Sequence, residues 1–148
     1  MNYKIRKAGL EDLEETAGLF DLYRIFYRQE PDLEKGKTFL KERLLNGESD
    51  IFLIMTDERA VGFAQLYKLF HYTKLQKQWL LSDLFVHPDH RGNGLSVALI
   101  DRCKQWCEET GACGLMLETE KTNAIGNRLY PRCGFEYDGL HNYYHWWR

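Results

Sequence analysis

Arg91-Gly92-Asn93-Gly94 places one cation in a turn of small residues, and Leu95, Ala98, Leu99, Cys103, Trp106 and Cys107 follow it at helical spacing. Before it, Leu84-Phe85-Val86 is an apolar run of the kind a buried strand shows. Pro88 stops that strand, because it removes a backbone donor and fixes its own φ. Strand, glycine turn and helix in this order build an anion cradle. The N–H groups of the turn point inward with no side chain in the way, and the first helical turn adds unpaired donors and a partial positive charge. The same residues also suit an ordinary left-handed turn into a helix. A Walker loop does not fit, since no Lys-Ser or Lys-Thr pair follows Gly94, and a dinucleotide fingerprint loses its third glycine to Val97.

Other chemistry-bearing residues are more scattered. Ser82 and Asp83 lie on the strand that leads into the glycine turn, where alternation predicts side chains on opposite faces. Glu118 and Glu120 stand at the end of the next apolar run, and Tyr130 follows on a short helical segment. Cys103, Cys107, Cys113 and Cys133 lack paired C-x-x-C spacing, and Cys103 and Cys107 read as small core hydrophobes one helical turn apart. His87 and His90 flank the glycine turn without a third ligand nearby, so no metal is expected.

These residues must be held by a scaffold. At 148 residues the chain suits one domain, residues 1–148, and 44% hydrophobic with 28% charged residues is the composition of a soluble globular protein. No apolar run approaches the roughly 20 residues that span a bilayer. The start, MNYKIRKAGLEDLEE, is acidic and amphipathic where a signal peptide is basic and then apolar, so the expected location is cytoplasmic with no membrane partner. A net charge of −2 offers no basic field for nucleic acid.

Tyr3 to Lys7 alternates as a short first strand. Leu13, Ala17, Phe20, Tyr23 and Tyr27 predict a helix ending before Pro31, and a second helix runs from Leu33 to Leu45, stopped by Asn46-Gly47. Asp50–Thr56 and Val61–Leu69 form a hairpin around Asp57-Glu58-Arg59, and Gln78–Val86 is the strand before the glycine turn. After the helix that follows come a strand at Leu115–Glu118, a short helix over Asn123–Arg132 with Asn123 as its cap, and a closing hairpin through Tyr137 and Tyr143–Trp147. The order β-αα-βββ-α-β-α-ββ predicts an α/β (α+β) mixed sheet with helices on its faces.

The loop Arg91–Ser96 resembles R-x-x-G-x-[GA], the pyrophosphate loop of the Gcn5-related N-acetyltransferase (GNAT) family, with Ser96 where Gly or Ala is usual. A second stretch resembles the family's N-x-x-A-x-x-L-Y followed by G-F: Asn123, Leu129, Tyr130, Gly134 and Phe135 match, and Gly126 replaces the usual Ala. The element order is also similar to that family's. The YRIFYRQ segment and the closing YYHW resemble bacterial relatives of the histone and polyamine acetyltransferase branch.

The resemblance implies a GNAT-like fold with a splayed pair of central parallel strands, acetyl-CoA as cofactor, and transfer of acetyl to a primary amine of a small molecule. In that reaction the amine must lose a proton, a negative oxygen needs a donor, and the departing thiolate benefits from a proton. By the same resemblance Leu84, Phe85, Val86, Arg91, Gly92, Asn93, Gly94, Leu95, Ser96, Asn123 and Tyr130 bind the cofactor, and the Val86 N–H serves the oxyanion. Tyr130 is the general acid, since an unperturbed phenol titrates near a pH of roughly 10 and is protonated at neutral pH. The base is the least defined role. Some relatives place a Glu where Ser82 stands; Ser82 could relay a proton through water but is a poor base itself, so Glu118 ranks first with Glu120 as its alternative, and solvent water can also take the proton. Tyr23, Tyr27, Ser82 and Asp83 are expected on the acceptor side, with Asp21 and Glu30 as further partners for an ammonium group. The surplus of aromatics at the C-terminal end motivates a homodimer. A protein lysine as acceptor, a noncatalytic acyl-CoA sensor and a nucleotide binder using the same loop remain alternatives.

Overall fold

The computed structural model describes residues 2–148. Two compact units divide at Glu118 and Thr119. The first carries β1 (Lys4–Lys7), α1 (Leu13–Phe26), α2 (Leu33–Leu45), β2 (Ser49–Thr56), β3 (Arg59–His71), β4 (Gln76–Val86), α3 (Leu95–Thr110) and β5 (Leu115–Met116); the second carries α4 (Ala124–Arg132). The strands form one five-stranded mixed sheet in sequential order, antiparallel from β1 to β4 and parallel between β4 and β5. No helix among the described residues is long and apolar enough to cross a membrane.

Local chemistry accounts for the boundaries. Asp12 opens α1 after a short 3-10 turn: its carboxylate accepts the Gly9 amide at 2.9 Å and pairs with Arg6. Asp32 caps α2 by accepting the Lys35 amide at 3.1 Å. The β2–β3 hairpin closes through two residues, Asp57 and Glu58, both at positive φ (48° and 60°), the turn whose twist matches its strands. Gly111, at φ 69°, ends α3 in the left-handed conformation.

The core lies on both faces of the sheet. On one, Leu13, Ala17, Phe20 and Leu40 of the helical pair cover Ile51, Leu53, Met55, Phe63 and Phe85. On the other, α3 buries Leu95, Leu99, Ile100 and Cys103, and its Trp106 ring meets Phe52 edge-on at 5.6 Å. Cys103 and Cys107 are core residues whose thiols burial pushes up to about 12 and about 11. Phe39 and Leu45 of α2 are exposed, and the Phe39 ring stacks on Phe20 at 6.1 Å.

β5 is shorter than its apolar run predicts, and the closing hairpin is not formed: residues 135–148 carry no helix or strand. The reason lies in local hydrogen bonding. Asp138 accepts the Leu140 amide at 2.9 Å and meets the His141 ring at 2.8 Å, so the turn residue organises its own neighbours rather than a ladder. Tyr137, Tyr144, Trp146 and Trp147 are all at least 80% exposed.

Candidate active site

The glycine turn is open. Gly92 and Gly94 sit at φ 79° and 75°, and a Cβ added to either meets no atom within 4 Å. Gly94 begins α3 with no side-chain cap, and among the described residues nothing accepts from the amides of Gly92 through Val97. Leu95 anchors this start in the core, Ser96 is half-buried beside it, and the Asn93 amide group closes the turn on the His90 and Arg91 carbonyls at 3.2 and 3.3 Å. A helix start with its donors unspent is an anion site by geometry and by charge. Arg91 folds back beside it: Nε donates to the Val86 carbonyl at 2.9 Å, and the guanidinium lies against the Phe26 and Phe85 rings at 5.7 and 5.4 Å.

β4 is paired with β5 only at Trp79↔Leu115 and Leu80↔Met116. Beyond Leu80 it runs on to Val86 against β3 alone, the splay expected of this pair. The His87 amide donates to the Val61 carbonyl at 2.8 Å, which makes that pair and, two steps back, Phe63↔Phe85 the hydrogen-bonded ones. The amides of Leu84 and Val86 therefore face away from β3, toward the side β5 has left. Phe85 turns its amide to β3 and its ring into the core, so of the three only Leu84 and Val86 offer backbone donors there.

Between Leu81 and Asp83 the register shifts, with Leu66↔Leu81 followed by Gln65↔Asp83, so Ser82 is the extra residue of a bulge. This corrects the alternation expected for the two side chains: Ser82 Oγ donates to Asp83 Oδ1 at 3.1 Å. Gln65 Nε2 donates to the other oxygen, Oδ2, and Ser49 Oγ donates to Gln65 Oε1 at 2.8 Å. The Tyr23 hydroxyl reaches the Ser82 carbonyl at 3.2 Å. Gln65, Ser49 and Asp83 are all buried. Burial raises the Asp83 carboxyl above the usual range, while hydrogen bonds from Gln65, Ser82 and Tyr23 pull it back. Tyr27 packs edge-on against Tyr23 at 5.1 Å. Three acceptor-side candidates thus meet at one point, joined by Gln65 and Ser49, which no local pattern marked.

Glu118 is exposed two residues past β5. Asp21 is spent elsewhere: it accepts the Asp32 amide at 2.9 Å and pairs with Arg24 at 3.7 Å.

In the second unit Asn123 caps α4, as its position predicts: Oδ1 accepts the Gly126 amide at 3.1 Å, and Nδ2 donates to Thr119 Oγ1 at 2.9 Å. The replacement of Ala by Gly at 126 has a local reason, since a Cβ there would lie 2.5 Å from Asn123 Nδ2. Gly134, at φ 88°, ends the helix and turns the chain back, so that the Phe135 amide donates to the Tyr130 carbonyl at 3.0 Å. The Phe135 ring then packs edge-on against Tyr130 at 5.8 Å. The Gly-Phe pair thereby fixes the orientation of a half-buried phenol.

Comparison with known proteins agrees with this geometry. The model of the acetyltransferase (GNAT) family matches residues 16–135. The uncharacterized N-acetyltransferase YhfO of Bacillus subtilis is 39% identical over 134 residues, covering 90% of each chain. A crystal structure of a probable acetyltransferase superposes with a TM-score of 0.91 at 33% identity, over 97% of this chain and 96% of that one. A predicted acetyltransferase from Clostridium acetobutylicum, solved with acetyl-CoA, shares the fold at a TM-score of 0.80 and 18% identity, over 97% and 96% of the two chains. The chain belongs to the GNAT family of acetyltransferases, enzymes whose acyl donor is acetyl-CoA.

Proposed function

We propose that this enzyme acetylates the primary amine of a small molecule, polyamine- or amino-metabolite-like, by direct attack of the amine. The observation that carries the reading is a pair of open donor sets, the Leu84 and Val86 amides on the unpaired side of β4 and the Gly92 to Val97 amides at the uncapped start of α3, none with an acceptor among the described residues. When bound, acetyl-CoA supplies the thioester-activated acetyl group. The amides from Gly92 to Val97 would hold its diphosphate, with the remaining guanidinium nitrogens of Arg91 beside them. Open space at both glycines suits this, because a backbone cradle needs close approach. The Val86 N–H would take the developing negative oxygen, a contribution of about 2.7–4 kcal/mol for one such donor. Tyr130 would protonate the departing thiolate, and Asn123 would serve it by setting α4. The family match over residues 16–135 supports one catalytic domain over residues 1–148. The exposed aromatics of residues 137–147 support a homodimer, which light scattering on the eluting protein tests.

A thiol-release assay with acetyl-CoA across polyamines, amino metabolites and a lysine peptide tests the assignment. Tyr130→Phe is expected to lose about 10²–10⁴-fold in turnover with acetyl-CoA affinity kept. Turnover confined to the lysine peptide would move the acceptor to proteins. Coenzyme A binding by calorimetry without turnover of any amine would make the chain a sensor.

A further inference from the structure

We infer that Ser82 and Asp83 form a proton relay for the acceptor amine, with Gln65 and Ser49 as the residues that position it. The inference rests on the acetyltransferase reading and deepens it at the base, the role that sequence alone leaves open.

The geometry has a direction. Ser49 donates to the Gln65 carbonyl oxygen, which fixes the amide so that its nitrogen faces Asp83. Gln65 therefore holds Oδ2, and Oδ1 is left to the Ser82 hydroxyl. The Ser82 proton is committed to the carboxylate, so the Ser82 oxygen presents lone pairs outward. Ser82 is half-buried where Asp83 is only 7% exposed, so the hydroxyl is the accessible member and the carboxylate the sheltered one. The bulge brings the two neighbours together, and Tyr23 of α1 holds the Ser82 carbonyl in place. The groups facing Asp83 are Tyr23 from α1, Gln65 and Tyr67 from β3, and Ser82 from its own strand; Ser49 from β2 acts on Gln65, and Arg43 and Glu48 act in turn on Tyr67.

In the step, an N–H bond of a primary alkylammonium breaks and its proton passes to Ser82 Oγ. The Ser82 proton moves to Asp83 Oδ1 as it does so. The nitrogen is left with a lone pair, Ser82 is again neutral, and Asp83 carries one proton, which returns to solvent after product leaves. Ser82 is the catalytic residue here; Asp83, Gln65 and Ser49 act through it.

The test uses the acceptor the wild-type chain turns over fastest, with Ser82→Ala, Asp83→Asn, Glu118→Gln and the Ser82→Ala/Asp83→Asn pair, each assayed from pH 6.5 to 9.5. Ser82→Ala and Asp83→Asn are each expected to lose on the order of 10²-fold in kcat/KM at pH 7, with acetyl-CoA affinity unchanged. The deficit should shrink to about tenfold or less near pH 9.5, where a growing share of an amine with a pKa of roughly 10.4 is already neutral in solution. The pair should lose no more than either alone. Carbon-13 detection of the Asp83 carboxyl in the ligand-free chain reads the same relay without turnover. Ser82→Ala and Gln65→Leu should each raise its titration midpoint.

A loss that is uniform across pH, an unmoved carboxyl midpoint, or a pH-dependent deficit in Glu118→Gln in place of Ser82→Ala overturns the relay alone. A wild-type chain that binds no coenzyme A in calorimetry and turns over no amine overturns the acetyltransferase proposal, and the relay with it.

Discussion

α3 and α4 begin in opposite ways. α3 starts at Gly94 with no side-chain cap and its first amides unspent, whereas α4 starts at Asn123, whose side chain both accepts and donates. Their glycines differ in the same sense. Gly92 and Gly94 stand in open space at positive φ, while Gly126 lies under the Asn123 side chain and has no room for a methyl group. One helix start keeps its donors unspent; the other is completed by its own chain. A glycine-rich turn before a helix is informative only when it is known which of these it is.

Completing α3 artificially breaks the contrast most directly. Ser96→Glu puts a carboxylate in the first turn of α3, where the helix dipole favours it by about 0.3–1 kcal/mol. Melting should rise slightly while acetyl-CoA affinity, measured by calorimetry, weakens by roughly tenfold or more, since about 1.4 kcal/mol of charge repulsion is tenfold in binding. Unchanged affinity would remove the diphosphate from this loop.

α4 sharpens the contrast through non-additivity. Asn123→Ala should cost about 0.5–2 kcal/mol in denaturant unfolding through loss of the cap. Gly126→Ala in the wild-type background should be neutral or destabilising, because the new methyl displaces the cap. In the Asn123→Ala background the same change should stabilise by about 0.5–1 kcal/mol, the ordinary helix preference of Ala over Gly. A constant effect in both backgrounds would mean the two residues do not share the space.

The start of α1 gives the smallest effect and adds a pH signature. The hydrogen bond from Arg6 holds the Asp12 carboxyl below the usual carboxylate range. Its folded value is depressed, so its contribution is present above the unfolded value of roughly 3.9 and is lost as pH falls through the lower folded one. Arg6 is 41% exposed, so solvent screening limits the contribution to about 1 kcal/mol or less. Asp12→Asn should lower the melting temperature at pH 7 and converge with wild type near pH 2.

What could be read without a structure follows from how local each signal is. The limits of α2, the Asn123 cap and the glycine turn each rest on residues within a few positions of one another. The link from Ser49 through Gln65 to Asp83 joins three strands, and nothing near Gln65 in sequence separates it from a surface glutamine. The bulge at Ser82 was hidden for a related reason: an apolar-polar strand reads the same with one residue more, and only the register against β3 reveals it. The tail misled in the other direction. Tyr143, Tyr144, Trp146 and Trp147 have the residue types of a strand, but β-propensity reports a fit to neighbours, and among the described residues this segment forms no strand and leaves these side chains exposed.

That single surplus residue in β4 also acts as a frame shift for everything downstream. Counting from Trp79, whose amide points to the β5 side, strict alternation would turn the amides of residues 84 and 86 toward β3 and those of 83 and 85 outward. Taking Ser82 into regular register, with no residue lost, would therefore leave the chain's composition untouched while rotating the end of the strand by half a turn, with Val86 hidden and Phe85 presented in its stead; excising Ser82 would instead keep Val86 outward.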